Sequence, residues 1–141
     1  MIAARGPDGP RVLVVEDEAM VAALIEIILS DAGCVVVGPI ATVTRALETI
    51  ERERVDAALL DVRVNGRQAY PVADALAARG IPFAFVSGFA RKDMPANYRP
   101  CAYVTKPFQP RAILASLNKM VGRAESGPKT RALSLGPPRE L

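Results

Sequence analysis

The sequence predicts an α/β fold, a doubly wound (βα)5 sandwich on a parallel five-stranded sheet of order 2-1-3-4-5. Three observations predict it. Short apolar runs at Arg11–Val15, Val35–Val37, Ala57–Leu60, Pro82–Val86 and Ala102–Val104 begin near residues 12, 35, 57, 82 and 102. The steps between them are 23, 22, 25 and 20 residues, each long enough for one strand and one crossover helix. Between the runs, apolar residues recur at helical spacing.

The bulk properties suit one globular domain. The chain has 141 residues, half of them hydrophobic, which is enough to bury a core. Lys and Arg number 18 against 15 acids, and a net charge of +3 gives little reason to expect nucleic-acid binding. The most apolar helix, Met20 to Leu29, is interrupted by Glu26 and too short to span a bilayer, and the chain opens on no secretory signal. A cytoplasmic protein without membrane contact is expected. Cys34 and Cys101 have no metal-ligand spacing and read as reduced, small apolar side chains. There is no histidine. That excludes histidine-based triads, histidine metal sites and every phosphohistidine donor role.

Taken in order, residues 1–10 carry two Gly and two Pro and read as a flexible N-terminal arm. Strand one, Arg11–Val15, is followed by a helix with Val21, Leu24, Ile25, Ile28 and Leu29 as its inward face and Gly33 as its stop. Strand two, Val35–Val37, is closed by Gly38-Pro39. Thr42 caps a second helix that buries Val43, Ala46, Leu47 and Ile50 and turns its charged residues to solvent. Strand three lies between Asp56 and Asp61, and its four apolar residues in a row read as buried on both faces.

The Asn65-Gly66 pair then marks a turn. A third helix runs from about Ala69 to Arg79, burying Val72, Ala73, Leu76 and Ala77. Strand four opens on Pro82, an acceptable first residue, and ends at Ser87-Gly88. The stretch from Ala90 to Pro100 holds two prolines and no apolar stripe, so its helix should be one or two turns at most. Strand five leads to a last helix, Phe108 to Val121, with Ile113, Leu114, Leu117, Met120 and Val121 inward. The domain is therefore placed at 11–122, and 123–141 is read as a disordered tail rich in Gly, Pro, Ser and charge.

Chemistry in such sheets sits outside the carboxyl ends of the strands. Strand one ends in Glu16-Asp17-Glu18 and strand three in Asp61, and the 2-1-3 order makes these neighbours. Three carboxylates held close repel one another unless a cation intervenes, and a hard divalent ion such as Mg²⁺ is the natural partner. Glu16, Asp17 and Asp61 are the expected set, with Asp61 as phosphoryl acceptor, while Glu18 is expected to be an ordinary loop acid. Lys106 follows strand five and can reach the same edge to pair with Asp61. The Lys106–Pro107 bond is a candidate for cis. Ser87 ends strand four with a hydroxyl suited to a phosphoryl oxygen. Tyr103 is either a half-buried strand aromatic or a ring that swings inward when Ser87 moves.

Taken together, Val12-Leu13-Val14-Val15-Glu16-Asp17-Glu18, Leu59-Leu60-Asp61, Val86-Ser87-Gly88 and Tyr103-Val104-Thr105-Lys106-Pro107-Phe108 resemble the receiver domain of two-component response regulators, which is flavodoxin-like. The resemblance covers about residues 10 to 122. It implies that Asp61 takes a phosphoryl group from a phosphohistidine of a sensor histidine kinase or histidine phosphotransfer protein. It implies Mg²⁺ (or Mn²⁺) held by Asp17, Asp61 and the backbone carbonyl of Arg63, with Glu16 acting through water. It gives Lys106 and Ser87 the phosphoryl oxygens and Tyr103 a switch role. The resulting expectation is a phosphoprotein that signals to a partner protein or drains phosphate from a relay, as a monomer or weak dimer, and is not an enzyme in the ordinary sense.

Phe85-Val86-Ser87-Gly88-Phe89 is similar to the F-A-T-G-plus-aromatic signature of one stand-alone receiver subgroup, and the Pro-containing segment after it fits that group's reduced fourth helix. The main alternative is a receiver-like interaction module that works without phosphorylation. An aspartyl-phosphate hydrolase would need a second Asp two residues after its nucleophile, where Arg63 stands. A nucleotide-binding relative would need a Gly-rich loop after strand one, and none follows.

Overall fold

Five apolar strands form one parallel sheet in a computed structural model that describes residues 9–125. They are β1 (Arg11–Val15), β2 (Val35–Ile40), β3 (Ala57–Leu60), β6 (Phe83–Ser87) and β7 (Ala102–Thr105). The sheet order is β2-β1-β3-β6-β7, which is 2-1-3-4-5 for the five main strands. Two short strands, β4 (Arg63–Val64) and β5 (Arg67–Gln68), make a separate antiparallel ribbon just beyond β3. Asn65 and Gly66 turn it with φ of 51° and 81°, the positive values that a tight two-residue hairpin loop demands.

Alternation along the strands sorts the core into two layers. Leu13, Val15, Ala58, Leu60 and Phe85 face helices α2 (Val43–Arg52) and α3 (Tyr70–Ala78). Val12, Val14, Ala57, Leu59, Ala84 and Val86 face α1 (Ala19–Asp31) and α4 (Pro110–Glu125). Leu13, Leu59, Leu60 and Phe85 are at most 1% exposed, and each such side chain contributes about 1.5–3 kcal/mol by leaving water.

The structure departs from the sequence reading at several places. β2 does not stop at Gly38-Pro39 but continues to Ile40. Gly38 adopts φ +105° and the register with β1 shifts there, while the edge position lets Pro39 stay in the strand. On α1 the buried residues are Ala22, Ile25, Ile28 and Leu29. Leu24 lies on the outer side with Met20 and Ile27, and Val21 is half-buried. Ala77 is exposed rather than buried, and Tyr70, not anticipated as core, is buried at the start of α3. The last helix runs past Val121 to Glu125. Most of the expected N-terminal arm and C-terminal tail lies outside the described residues. Among those described, no helix is long and apolar enough to cross a membrane.

The reduced fourth crossover helix is two 3-10 turns, Arg91–Asp93 and Ala96–Tyr98. Met94 between them is 1% exposed and fills the core where a longer helix would pack. Tyr98 stacks on Tyr70 with ring centroids 4.4 Å apart, and its hydroxyl donates to Asp74 Oδ1 at 2.7 Å. Tyr70 in turn meets Phe85 edge-on, so this short segment is pinned directly to the aromatic core behind Ser87.

Candidate functional site

β1 and β3 pair in parallel from Val12↔Ala57 to Val15↔Leu60. Their next residues, Glu16 and Asp61, therefore emerge side by side at the carboxyl edge of the sheet. The backbone holds them there: Glu16 N–H donates to the Ile40 carbonyl at 2.9 Å, and Asp61 N–H to the Val15 carbonyl at 3.0 Å. Glu16 is 3% exposed and Asp61 8%. β6 and β7 pair as far as Ser87↔Thr105, which delivers Lys106 to the same edge, and its N–H donates to the Ser87 carbonyl at 3.0 Å. The Lys106–Pro107 bond is cis.

The Lys106 ammonium is the centre of the site. It donates to Asp61 Oδ2 at 2.9 Å and to Glu18 Oε1 at 2.7 Å. Glu16 Oε1 is also 2.9 Å away, but it lies outside hydrogen-bonding geometry and is left buried with its charge met and no directional bond. Burial alone would lower the Lys106 pKa, but the carboxylates of Glu18, Asp61 and Glu16 outweigh it and hold the group above its ordinary 10.5. Burial raises the Glu16 carboxyl above its ordinary 4.5, against the opposing pull of Lys106 and of the Glu18 N–H.

The remaining residues divide. Ser87 is buried, and its Oγ accepts from Phe89 N–H at 3.1 Å, a local turn that leaves the hydroxyl proton for another acceptor. Tyr103 is half-buried, and its hydroxyl donates to the Ser87 carbonyl at 3.3 Å with the Arg91 guanidinium 5.3 Å above its ring. Asp17 is exposed, and its Oδ2 accepts from Asn65 N–H at 2.8 Å in the hairpin loop. Arg63 is exposed on β4, two residues beyond Asp61.

Glu16, Glu18 and Asp61 each place an oxygen within 4.8 Å of the others. Glu18, read from sequence as an ordinary loop acid, is thus part of the cluster, while Asp17 stands beside it. The hard oxygen donors, among them a buried Glu16 oxygen that accepts no hydrogen bond, fit a divalent cation of the Mg²⁺ type.

Comparison with known proteins identifies the family. A family model described as the response regulator receiver domain matches residues 12–118. The chain belongs to the response regulator receiver family. Among related proteins, the transcriptional regulatory protein PdtaR of Mycobacterium tuberculosis is 27% identical over 117 residues, which cover 80% of this chain and 57% of that protein. The receiver thus spans little more than half of that relative. The solution structure of SdrG from Sphingomonas melonis is 35% identical with a TM-score of 0.71, covering 79% of this chain and 96% of that one. A CheY-like receiver domain protein from Methanospirillum hungatei is 25% identical with a TM-score of 0.74, covering 83% and 97%. The flavodoxin-like sheet and the two-component signalling class follow from these matches.

Proposed function

We propose that this receiver accepts a phosphoryl group on Asp61 from a phosphohistidine of a sensor histidine kinase or histidine phosphotransfer protein in the cytoplasm. An Asp61 oxygen bonds to phosphorus as the phosphorus–nitrogen bond breaks, and the electron pair returns to the donor imidazole. The observation that carries the reading is the Lys106 ammonium 2.9 Å from Asp61 Oδ2 at the sheet edge. It is the one cation of the cluster, and it lies where charge on a transferred phosphoryl would develop.

Glu16, Asp17, Asp61 and the Arg63 carbonyl would hold Mg²⁺ (or Mn²⁺), Asp17 through the oxygen that Asn65 does not use. The cation supplies neutralisation of the phosphoryl charge. Ser87, with a hydroxyl proton to donate, and Lys106 would take the phosphoryl oxygens. Moving Ser87 disturbs the carbonyl that Tyr103 and the Lys106 N–H share, so the surface of β6, β7 and α4 changes with it. That surface would signal to a partner protein, or the chain would drain phosphate from a relay.

Adding beryllofluoride, an acyl-phosphate mimic, with Mg²⁺ tests this reading. It should shift the amide resonances of Ser87 and Tyr103. No shift at saturating reagent would leave a receiver-like interaction module that works without phosphate.

A further inference from the structure

An ammonium group has three protons to give. In this structure three carboxylates surround Lys106: Glu18 Oε1 at 2.7 Å, Asp61 Oδ2 at 2.9 Å and Glu16 Oε1 at 2.9 Å. Two of them, Glu18 and Asp61, take its hydrogen bonds and Glu16 crowds its remaining side, so a phosphoryl oxygen arriving at Lys106 has to displace one of these contacts. Asp61 is the group that receives it and cannot leave. Its Oδ1 is tied to Val62 N–H at 2.7 Å and its side chain is 11% exposed. The Glu16 side chain is 2% exposed, and its Oε2 accepts from Glu18 N–H at 3.0 Å. The Glu18 carboxylate has neither constraint: its side chain is 62% exposed.

Glu18 also has somewhere to go. It occupies the N-cap position of α1, yet its side chain makes no cap hydrogen bond. A negative charge at that position is favoured by the positive end of the helix. Here it is extended to Lys106 instead.

We infer that Glu18 is a displaceable plug, a positioning residue that occupies on Lys106 the place a phosphoryl oxygen takes and gives way when one arrives. The inference rests on the proposed phosphoacceptor reading. Its consequence is competition. Each phosphoryl group must first break the Glu18–Lys106 pair and then sit near the negative charge of Glu18. The plug therefore weakens phosphoryl retention, whereas a tether that merely kept Lys106 in place would strengthen it.

The test is the affinity for beryllofluoride at saturating Mg²⁺, so that differences in cation binding do not enter, measured by calorimetric or NMR titration of the wild type, Glu18→Gln and Glu18→Asp. A partly exposed ion pair is a modest competitor, so Glu18→Gln should bind about two- to fivefold more tightly than the wild type. Glu18→Asp keeps the charge but is one methylene shorter, and it should also bind more tightly, by a smaller factor. Glu18 packs in no core, and a gain in affinity is not what a damaged fold produces. Equal or weaker binding by Glu18→Gln would overturn the plug. So would wild-type affinity in Glu18→Asp, which would assign the effect to charge at a distance rather than to the contact. If the wild type itself takes no beryllofluoride, the phosphoacceptor reading fails first and the plug with it.

Discussion

Lys106 and Asp61 lie 45 residues apart in the chain and 2.9 Å apart at the edge of the sheet. The pair depends on two strand ends, β3 and β7, that are not neighbours: β6 lies between them, and the lysine reaches across it. Removing the ammonium leaves Glu16 and Asp61 facing each other without a cation. Lys106→Met should lower stability at neutral pH by about 1–3 kcal/mol. Adding Glu16→Gln should restore part of that loss. Urea unfolding of the two variants checks both, and a double variant no more stable than the single would contradict the repulsion.

Gly38 is where the edge strand bends beside the site. At φ +105°, a Cβ there would lie 2.8 Å from the Ile40 nitrogen and 3.0 Å from the Val14 carbonyl oxygen. Both are backbone atoms that cannot rotate away. Gly38→Ala should cost about 1–3 kcal/mol, from strain and from the forced separation of β1 and β2. Thermal unfolding at the wild-type midpoint would contradict the tight approach.

Cys34 gives a pH dependence with a definite sign. Burial pushes its thiol up from 9.0 to about 11. The folded chain therefore keeps a proton that the unfolded chain releases. The stability this represents is whole below pH 9 and is lost as pH rises towards 11. The loss approaches about 1.4 kcal/mol per pH unit. Lys106 is raised as well, but its contribution is lost only above its ordinary 10.5. Comparing unfolding free energies of the reduced wild type and Cys34→Ala from pH 9 to 11 isolates the thiol. The variant should lose less stability over that range, and parallel curves would contradict the assignment.

Arg63 stands two residues after Asp61, exposed on the short ribbon beyond the strand. From there its side chain can lie over the approach that water takes to an acyl phosphate. Arg63→Ala should change the decay rate of phosphorylated Asp61, followed as loss of label after removal of the donor. An unchanged rate would dismiss the residue from that role.

What the sequence made legible was the geometry that strand order alone dictates. Once β1 and β3 are neighbours, Glu16 and Asp61 must meet, and Lys106 at the end of β7 is long enough to join them. That Glu18 would reach Lys106 as well was not legible. That depends on the backbone path after β1, where Asp17 accepts from Asn65 N–H in a hairpin 48 residues away while Glu18 accepts from Lys106. The outward position of Leu24 was hidden for a related reason, because an apolar helix with Met20, Leu24 and Ile27 on one flank offers more than one inward face. Tyr70 was missed because part of its packing comes from Tyr98, a residue of the irregular segment whose packing no periodicity announces.

The central claim is that Asp61 is the phosphoryl acceptor. Its most direct test is transfer from a phosphohistidine donor in the presence of Mg²⁺, with the acyl phosphate reduced by borohydride and the modified residue located by mass spectrometry. The account predicts homoserine at position 61 and no labelling of Asp61→Asn. Modification at another residue, or an unlabelled wild type beside a donor that labels a control receiver, would contradict it.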